Sequence, residues 1–251
     1  MLTCNITYYN EPKWLIWWFR TIRTLNDRGI NIQMSVCDDG SQDYPAEKVF
    51  DKHHPLGSMK LYRITKDHGF NSHGARNLLM QQTNTGWNLL SDIDRHYSFD
   101  GLTTLFYGKH ELFKRGNFYV FKEATKNSDD GFSINEYVVN KKDFWKSGGY
   151  DEEFTNIHWG DRLFLQSLAY TSRRVPLPDV VVKYMRGARM VTWEDVPTTQ
   201  YPDDRTLIHP NNRWTNPEFR KNLIEMVKTR NSTHEGRMSK KVINFEWEQV
   251  F

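Results

Sequence analysis

The sequence predicts an α/β protein with a mostly parallel, doubly wound central sheet and helices on both of its faces. β-rich segments alternate with helical segments from residue 2 to about residue 94, which is the pattern of a parallel sheet. Clusters of acidic residues directly follow two of the β-rich segments. The length of 251 residues suits one large domain, or one domain with a short appendage.

The first half of the chain supplies the parallel strands. Strands are predicted there over residues 2–8, 32–37, 59–65 and 87–90. A helix is expected to begin at Pro12, with Asn10 as its capping residue and Glu11 as an acid in the first turn, and to end at Gly29. Its tryptophans follow helical spacing, which indicates packing against the sheet. A second helix is predicted over residues 75–83.

The second half is less regular. Strands are predicted over residues 118–124, 134–140 and 180–184, and helices over residues 142–146 and 162–170. From about residue 198 onward Pro, Asn and Asp are frequent, which favours a loop or lid, and a closing helix is expected over residues 216–230. We therefore expect a main domain over residues 1–197, with a lid and a basic helical tail over residues 198–251 that pack on the same domain.

Composition and charge narrow the class of protein. The formal net charge of +3 is mild, so it allows an acidic ligand without indicating a nucleic-acid-binding protein. No apolar run approaches the ~20 residues of a membrane span. The first predicted strand begins at Leu2, which leaves no room for a signal peptide. Cys4 and Cys37 lie in apolar runs and are expected to be reduced core residues, so a cytoplasmic protein is expected.

Two acidic clusters follow predicted strands, Asp38 with Asp39 and Asp92 with Asp94. In an open parallel sheet, ligands bind outside the carboxyl ends of the strands. Carboxylates at alternate positions after a buried strand can turn toward one point, and Mg²⁺ or Mn²⁺ prefers such oxygen ligands together with substrate phosphates. The alternative interpretation is that Asp94 forms a surface ion pair with Arg95 and that Asp92 forms a turn.

Short motifs follow one another along the chain. They are the strand at residues 6–12 with Asn10-Glu11 near its end, the acidic turn at residues 38–43, Gly69-Phe70-Asn71 with Ala75-Arg76-Asn77, Asp92-Ile93-Asp94, Gly148-Gly149-Tyr150-Asp151-Glu152, and Trp159-Gly160-Asp161. This order resembles the family 2 glycosyltransferases of the GT-A fold, over residues 2 to about 185. The resemblance implies that residues 1–197 form a GT-A catalytic domain. Its expected activity is transfer of a hexose or pentose, with inversion, from a nucleotide diphosphate donor such as a UDP-sugar to an acceptor hydroxyl.

The resemblance also implies roles for the donor-site residues. Asp38 would bind the nucleotide base, with Tyr8 and Asn10 lining the same pocket and Asn71 contributing to donor binding. Arg76 would meet the diphosphate, to which its charge is suited. Turn formation alone explains the remaining polar residues of the acidic turn, which are Asp39, Gly40 and Asp43. His68 and His73 are more simply surface residues than ligand contacts.

Metal and catalytic roles follow from the same resemblance. Asp94 would be a direct ligand of Mn²⁺ or Mg²⁺, Asp92 would face both the ribose and the metal, and His209 in the predicted lid would be a further ligand. Asp161 would be the base that takes the proton of the acceptor hydroxyl. The family motif has a glutamate beside this acid, whereas Gly160 precedes Asp161 here. Three other acids therefore compete for the role, namely Asp151, Glu152 and Glu153.

The acceptor stays open. The tail over residues 220–241 is rich in Lys and Arg, which is typical of a solvated face and also suits a phosphate backbone or an anionic membrane surface. The resemblance allows a saccharide or lipid-linked saccharide, as in bacteria, or a hydroxylated DNA base, as in viruses. A nucleotidyltransferase is the alternative enzyme, but it would open with a basic Gly-rich loop, and residues 8–12 are acidic and glycine-free. A non-catalytic sugar- or nucleic-acid-binding module is the alternative of another class.

Overall fold

A computed structural model describes residues 2–53, 58–69, 71–108, 113–124, 131–152, 155, 160–184 and 242–251. The strands are β1 Leu2–Tyr8, β2 Gln33–Asp38, β3 Met59–Ile64, β4 Trp87–Asp92, β5 Arg95–Tyr97, β6 Asn117–Glu123, β7 Phe132–Asn140, β8 Arg173–Tyr184 and β9 Trp247–Gln249. The helices are α1 Pro12–Asp27, α2 Ala46–His53, α3 Ser72–Gln82, α4 Phe99–Thr103, α5 Lys141–Lys146 and α6 Gly160–Thr171, with a π-helical turn at Thr104–Gly108 after α4.

The strands form one sheet in the order β5-β8-β6-β7-β4-β1-β2-β3-β9. β4, β1, β2 and β3 run parallel to one another, so their carboxyl ends lie at the same edge of the sheet. β7 is antiparallel to both β4 and β6, and β5 and β9 add antiparallel strands at the two sides. The predicted α/β class with a large central sheet is confirmed. The four parallel strands β4, β1, β2 and β3 lie in the segment predicted from the alternation of strands and helices, and β6 and β8 form a further parallel pair outside it.

Helices cover both faces of the sheet, as a doubly wound fold requires. In β1, Cys4, Ile6 and Tyr8 pack into the core cluster to which α1 and α2 contribute. The alternate side chains of β1 face α3, where Asn5 Nδ2 lies 4.0 Å from Sδ of Met80. Apolar residues of α3, α5 and α6 form the clusters of this second face. Because α3 follows β3, it begins at the edge of the sheet where the parallel strands end.

The start of α1 differs from the prediction. Pro12 is the first helical residue, as predicted, but Glu11 holds the capping position and its side chain forms no capping hydrogen bond. Asn10 instead has a positive φ of 50°. Its side-chain oxygen accepts a hydrogen bond from the amide of Tyr44, 2.9 Å away. The predicted capping role of Asn10 is therefore wrong, because its side chain ties the end of β1 to the loop after β2.

The carboxyl-terminal part of the chain is described only over residues 242–251. There β9 pairs antiparallel with β3, and Phe245 and Trp247 pack against the α3 cluster. The predicted closing helix over residues 216–230 and the predicted metal ligand His209 lie outside the described residues. Cys4 and Cys37 are free and buried, which confirms the prediction that both are reduced core residues. In the part of the chain that the structure describes, no helix is long and apolar enough to cross a membrane.

Candidate functional site

Acidic residues lie at the carboxyl ends of β2 and β4, and we call residues 38–41 the β2 end and residues 92–95 the β4 end. At the β2 end, Asp38 is buried, and its two carboxylate oxygens accept hydrogen bonds from the amides of Ser41 (2.8 Å) and Ala46 (2.7 Å). Ala46 is the first residue of α2, so Asp38 satisfies a free amide of that helix. Burial raises the pKa of Asp38, although these hydrogen bonds oppose the shift.

Asp39 is also buried but keeps one oxygen unused. Its Oδ2 accepts the amide of Asn71 at 2.8 Å, whereas its Oδ1 is buried and has no hydrogen-bond partner among the described residues. Burial raises the pKa of Asp39 well above its ordinary range, and the charges of Asp38 and Asp67 add to this shift. A buried acceptor without a partner in the protein is a feature that a bound ligand can explain.

The residues predicted to line the base pocket lie around the β2 end, but most of them are buried. Tyr8 is only 1% exposed, and its hydroxyl donates to the carbonyl of Tyr44 at 2.5 Å. Asn71 is buried as the capping residue of α3, where its side chain accepts the amide of Gly74. Tyr9 is 37% exposed and donates to Oδ2 of Asp67 at 2.9 Å. Tyr9 rather than Tyr8 therefore has a face available to a ligand.

At the β4 end, Asp92 is the last residue of its strand. Its Oδ1 accepts hydrogen bonds from Nη2 of Arg76 (2.5 Å) and from the hydroxyl of Thr7 (3.4 Å), and its Oδ2 accepts Nδ2 of Asn135 (3.1 Å). Burial alone would raise the pKa of Asp92, but the charges of Arg76 and Arg95 outweigh it and lower that pKa. Asp92 is therefore ionised at neutral pH.

Asp94 lies in the turn between β4 and β5 with 21% of its side chain exposed. The turn is held from α1, because Nε1 of Trp18 donates to the carbonyl of Ile93 at 3.2 Å. Oδ1 of Asp94 lies 3.9 Å from Nε of Arg95. The alternative interpretation was a surface ion pair between Asp94 and Arg95. The two charges do lie close together, but only 11% of the Arg95 side chain is exposed, so the pair is not a surface pair.

Arg95 contacts two further carboxylates, one on β6 and one on β7. Its Nη1 donates to Oε1 of Glu123 at 3.2 Å, and its Nε lies 3.0 Å from Oε1 of Glu136. Glu136 is fully buried and bonded to the hydroxyl of Ser133. Burial raises the pKa of Glu136 from 4.5 to about 8, although the charge of Arg95 opposes this shift. Glu136 is therefore mostly protonated at neutral pH.

Arg76 joins the β4 end to the start of α6. Nη1 donates to the carboxylate of Asp161 and to the hydroxyl of Tyr150 (2.7 Å), while Nη2 donates to Asp92 and to the carbonyl of Asn135 (3.2 Å). Only 1% of the Arg76 side chain is exposed. Burial would lower the pKa of Arg76, but the charges of Asp92 and Asp161 hold it above its ordinary value. The guanidinium thus stays charged and connects two predicted site residues that are distant in sequence.

Asp161 is in the first turn of α6, with 9% of its side chain exposed. Arg76 binds its Oδ1, and its Oδ2 lies 4.0 Å from Nε2 of His73. His73 is fully buried against Gly160, where an added Cβ would clash with Nε2 of the imidazole. Burial lowers the pKa of His73, so its ring is neutral at neutral pH. The expectation that His73 is a surface residue is wrong.

The motif at residues 148–152 packs against α3 and holds Tyr150, which contacts Arg76. Asn77 bonds the backbone of Tyr150 twice, with Oδ1 accepting its amide at 2.8 Å and Nδ2 donating to its carbonyl at 3.0 Å. Gly149 has a φ of 67° and passes so close to Asn77 that a Cβ would lie 2.9 Å from its Oδ1. Glu152 accepts hydrogen bonds from Nδ2 of Asn77 and from the amides of Ile243 and Asn244. These hydrogen bonds give Glu152 a structural role. Glu153, another candidate for the base, lies outside the described residues.

The donor set at the β4 end fits a divalent cation of the Mn²⁺ or Mg²⁺ type. Asp92 and Asp94 offer carboxylate oxygens, both side chains are partly exposed, and Asp92 is ionised. The described residues contain no group of three or more His, Cys, Asp or Glu side chains that could hold a metal ion. Cations of this type are often bound by one or two carboxylates together with substrate phosphates, so two carboxylates are sufficient.

Sequence reasoning missed several residues of this site. Asn135 and Glu136 belong to a strand without any recognised motif, and Tyr150 was noted only as part of one. His73 was expected in the loop before the predicted helix at residues 75–83, whereas α3 begins at Ser72 and brings His73 and Arg76 onto one helix face. The unused oxygen of Asp39 left no trace in the sequence, since turn formation explains an acid at that position equally well.

The sequence matches no protein-family model and no curated protein. Solved structures do match the fold. S. aureus TarS 1–349 in complex with UDP-GlcNAc has a TM-score of 0.60 and 14% identity, over 76% of this chain and 62% of that chain. Mannosyltransferase PcManGT from Pyrobaculum calidifontis in complex with GDP-Man and Mn²⁺ has a TM-score of 0.58 and 16% identity, over 75% of this chain and 57% of that chain.

A third similar structure is GalNAc-T7 with UDP, GalNAc and Mn²⁺, with a TM-score of 0.58 and 13% identity, over 73% of this chain and 43% of that chain. The chain spans 36–62% of the length of the TarS chains that it matches. At these identities the likeness concerns the fold. The protein has the GT-A glycosyltransferase fold that its motif order resembles.

Proposed function

We propose that the protein is a metal-dependent glycosyltransferase that moves a sugar from a nucleoside diphosphate donor, a UDP-sugar, to an acceptor hydroxyl with inversion. One observation carries the proposal. Within a GT-A fold, Arg76 bonds both Asp92 at the β4 end and Asp161 at the start of α6. The carboxylate expected at the donor and the acid expected to act as base therefore bind the same guanidinium, which would bring donor and acceptor close together.

The β2 end is the proposed site of the nucleotide base. Oδ1 of Asp39 is the buried acceptor without a partner among the described residues, so it is suited to the imide N–H of a uracil ring. Tyr9 is exposed at the end of β1 and offers a ring face for stacking. The oxygens of Asp38 and the hydroxyl of Tyr8 are bound to the backbone. We therefore assign base binding to Asp39 and Tyr9 in preference to Asp38 and Tyr8.

The β4 end is the proposed site of the metal and the diphosphate. Asp94 is the direct ligand in this proposal and Asp92 the second, while His209 stays a candidate outside the described residues. A divalent cation bound there would neutralise the charge that develops on the departing diphosphate. Asp92 is ionised, so it would offer a charged oxygen to the cation.

Asp161 is the proposed base. Its Oδ2 is not bound by Arg76 and would take the proton of the acceptor hydroxyl. The hydroxyl oxygen then bonds to the anomeric carbon of the sugar while the bond from that carbon to the diphosphate oxygen breaks, and the nucleoside diphosphate leaves with the electron pair. Neutral His73 beside Oδ2 does not compete as a charged partner. A saccharide, a lipid-linked saccharide and a hydroxylated DNA base remain the candidate acceptors.

The test measures donor binding and donor turnover separately. Uridine diphosphate should raise the melting temperature in the presence of Mn²⁺, and not when the metal is removed by a chelator. A screen of nucleotide sugars should then reveal slow donor hydrolysis with one of them. If no nucleoside diphosphate raises the melting temperature with any divalent metal, the donor site does not exist. Release of pyrophosphate from a nucleoside triphosphate would instead indicate a nucleotidyltransferase, and binding without turnover would indicate a non-catalytic module.

A further inference from the structure

Arg76 has no hydrogen left for a donor phosphate on its two terminal nitrogens. Nη1 donates to Tyr150 and Asp161, and Nη2 donates to Asp92 and the carbonyl of Asn135. Each of these nitrogens carries two hydrogens, so both are fully used. The remaining nitrogen, Nε, is buried and has no hydrogen-bond partner among the described residues. An arginine that binds a diphosphate in a bidentate manner presents two N–H groups to it, whereas Arg76 has only the buried Nε–H unused.

The start of α6 is held against the same face of α3. His73 and Arg76 lie three residues apart, so both side chains point from α3 toward Asp161. Arg76 binds Oδ1, and Nε2 of His73 lies 4.0 Å from Oδ2. The absence of a side chain at Gly160 allows the imidazole to touch the α6 backbone. The position of Asp161 is therefore fixed by α3, not by its own helix alone.

The guanidinium is itself fixed by a tyrosine pair. The hydroxyl of Tyr150 accepts from Nη1 and lies 2.5 Å from the hydroxyl of Tyr137. Both tyrosines are fully buried, and Asn77 holds the backbone of Tyr150 through both its amide and its carbonyl. Since Tyr137 comes from β7 and Tyr150 from the loop after α5, Arg76 is positioned from two further elements.

We propose that Arg76 is a positioning residue that acts through Asp161 and Asp92 and does not touch the donor. This role rests on the proposed function and deepens it. Arg76 keeps the base and the metal-binding carboxylate at a constant separation, so that an acceptor at Asp161 meets the anomeric carbon of a donor held at Asp92. Loss of the guanidinium therefore lowers the rate of transfer far more than the affinity for the donor, because Asp94 remains as the proposed direct metal ligand.

The decisive variant is Arg76→Lys, which keeps the positive charge but cannot reach both carboxylates at once. We expect kcat to fall about 100-fold, because a displacement of about 1 Å in a reacting group has an effect of that size. The KM for the donor and the affinity for uridine diphosphate with Mn²⁺ should stay within about threefold of the parent. A rise of about tenfold in KM and in the dissociation constant, with kcat retained, would make Arg76 a donor ligand. Unchanged kcat and KM would also overturn the proposal.

A second pair of variants decides the question if Arg76→Lys does not fold. Tyr150→Phe removes one of the two acceptors of Nη1 and keeps the buried ring. We expect kcat to fall about tenfold at constant KM. Tyr137→Phe is the matched control, because it removes one buried hydroxyl from the same pair without removing the acceptor of Arg76, and its kcat should fall less. Equal kcat values for the two variants would contradict the positioning role.

The two proposals fail in different ways. A parent protein that turns over no nucleotide sugar rejects the proposed function before any variant is made, and the positioning role falls with it. A parent protein that is active, together with an Arg76→Lys variant of full activity, rejects the positioning role alone. Binding of uridine diphosphate with Mn²⁺, followed by the shift in melting temperature, reports donor binding in every variant independently of turnover.

Discussion

The β2 end and the β4 end both present acidic residues at the carboxyl end of a parallel strand, but their surroundings differ. At the β2 end, backbone amides bind Asp38 and Asp39, and burial raises the pKa of both. At the β4 end, burial would also raise the pKa of Asp92, but Arg76 and Arg95 outweigh it and lower that pKa. Carboxylates bound by amides suit an uncharged nucleobase, and carboxylates bound by arginines remain ionised for a cation.

Arg76 links the β4 end to Asp161 on α6. Because Asp161 is the proposed base, its substitution should have the largest effect on the rate of transfer. Asp161→Asn removes the oxygen that accepts a proton and leaves an oxygen for Arg76. We expect kcat to fall about 1,000-fold, within the range that a general base contributes. Steady-state rates of nucleoside diphosphate release measure this effect. Binding of uridine diphosphate with Mn²⁺ should be retained, and a kcat near that of the parent would move the base to another acid.

At the β4 end itself, Asp94→Ala should weaken the binding of uridine diphosphate with Mn²⁺ about 100-fold, since the variant lacks the proposed direct metal ligand. Isothermal titration with and without Mn²⁺ measures the difference. Asp51→Ala is the matched control, because Asp51 is an exposed acid on α2 away from both strand ends. Equal affinities of the two variants would remove Asp94 from the metal site.

At the β2 end, a pair of variants separates binding from structure. Asp39→Asn can keep an oxygen on the amide of Asn71 and places an NH₂ where Oδ1 was, so uridine diphosphate should bind about tenfold more weakly with little change in stability. Asp38→Asn places an NH₂ against a backbone amide, so the free energy of unfolding should fall by about 1–3 kcal/mol. Calorimetry and denaturant titration measure the two effects. The reverse pattern would return base binding to Asp38.

The parallel half of the fold and the strand-end carboxylates could be predicted because both depend on local sequence. Strand and helix periods are visible within about 10 residues, and a strand that ends in Asp92 brings that carboxylate to the edge of the sheet. α2 was missed because its amino-terminal amide is satisfied by Asp38, eight residues earlier, and not by a capping residue next to it. β9 was missed because its pairing with β3 is set by tertiary contacts.

The sequence indicates which residues lie near the strand ends better than it indicates their contacts. Arg76 bonds Asp92 and Asp161, which are 16 and 85 residues away, and no local pattern shows that its charge is neutralised by the protein. Tyr8 is the buried last residue of β1, whereas Tyr9 follows the strand and is exposed. An error of one residue in assigning the base pocket therefore replaces the exposed ring of Tyr9 with the buried hydroxyl of Tyr8.

The smallest expected effect concerns Glu136, which contacts Arg95 of the β4 end. Unlike Asp92, Glu136 has a raised pKa. Burial raises the pKa of Glu136 from 4.5 to about 8, so between these values the folded protein binds a proton that the unfolded chain releases. The free energy of unfolding should therefore fall as the pH rises through this window, by about 1 kcal/mol per pH unit from this group. Glu136→Gln removes this contribution and leaves those of Asp38 and Asp39 in place. The stability of the variant relative to the parent, measured by denaturant titration, should thus increase from pH 5 to pH 8. A difference that is constant with pH would mean that Arg95 keeps Glu136 ionised, so that every acid at the β4 end is charged.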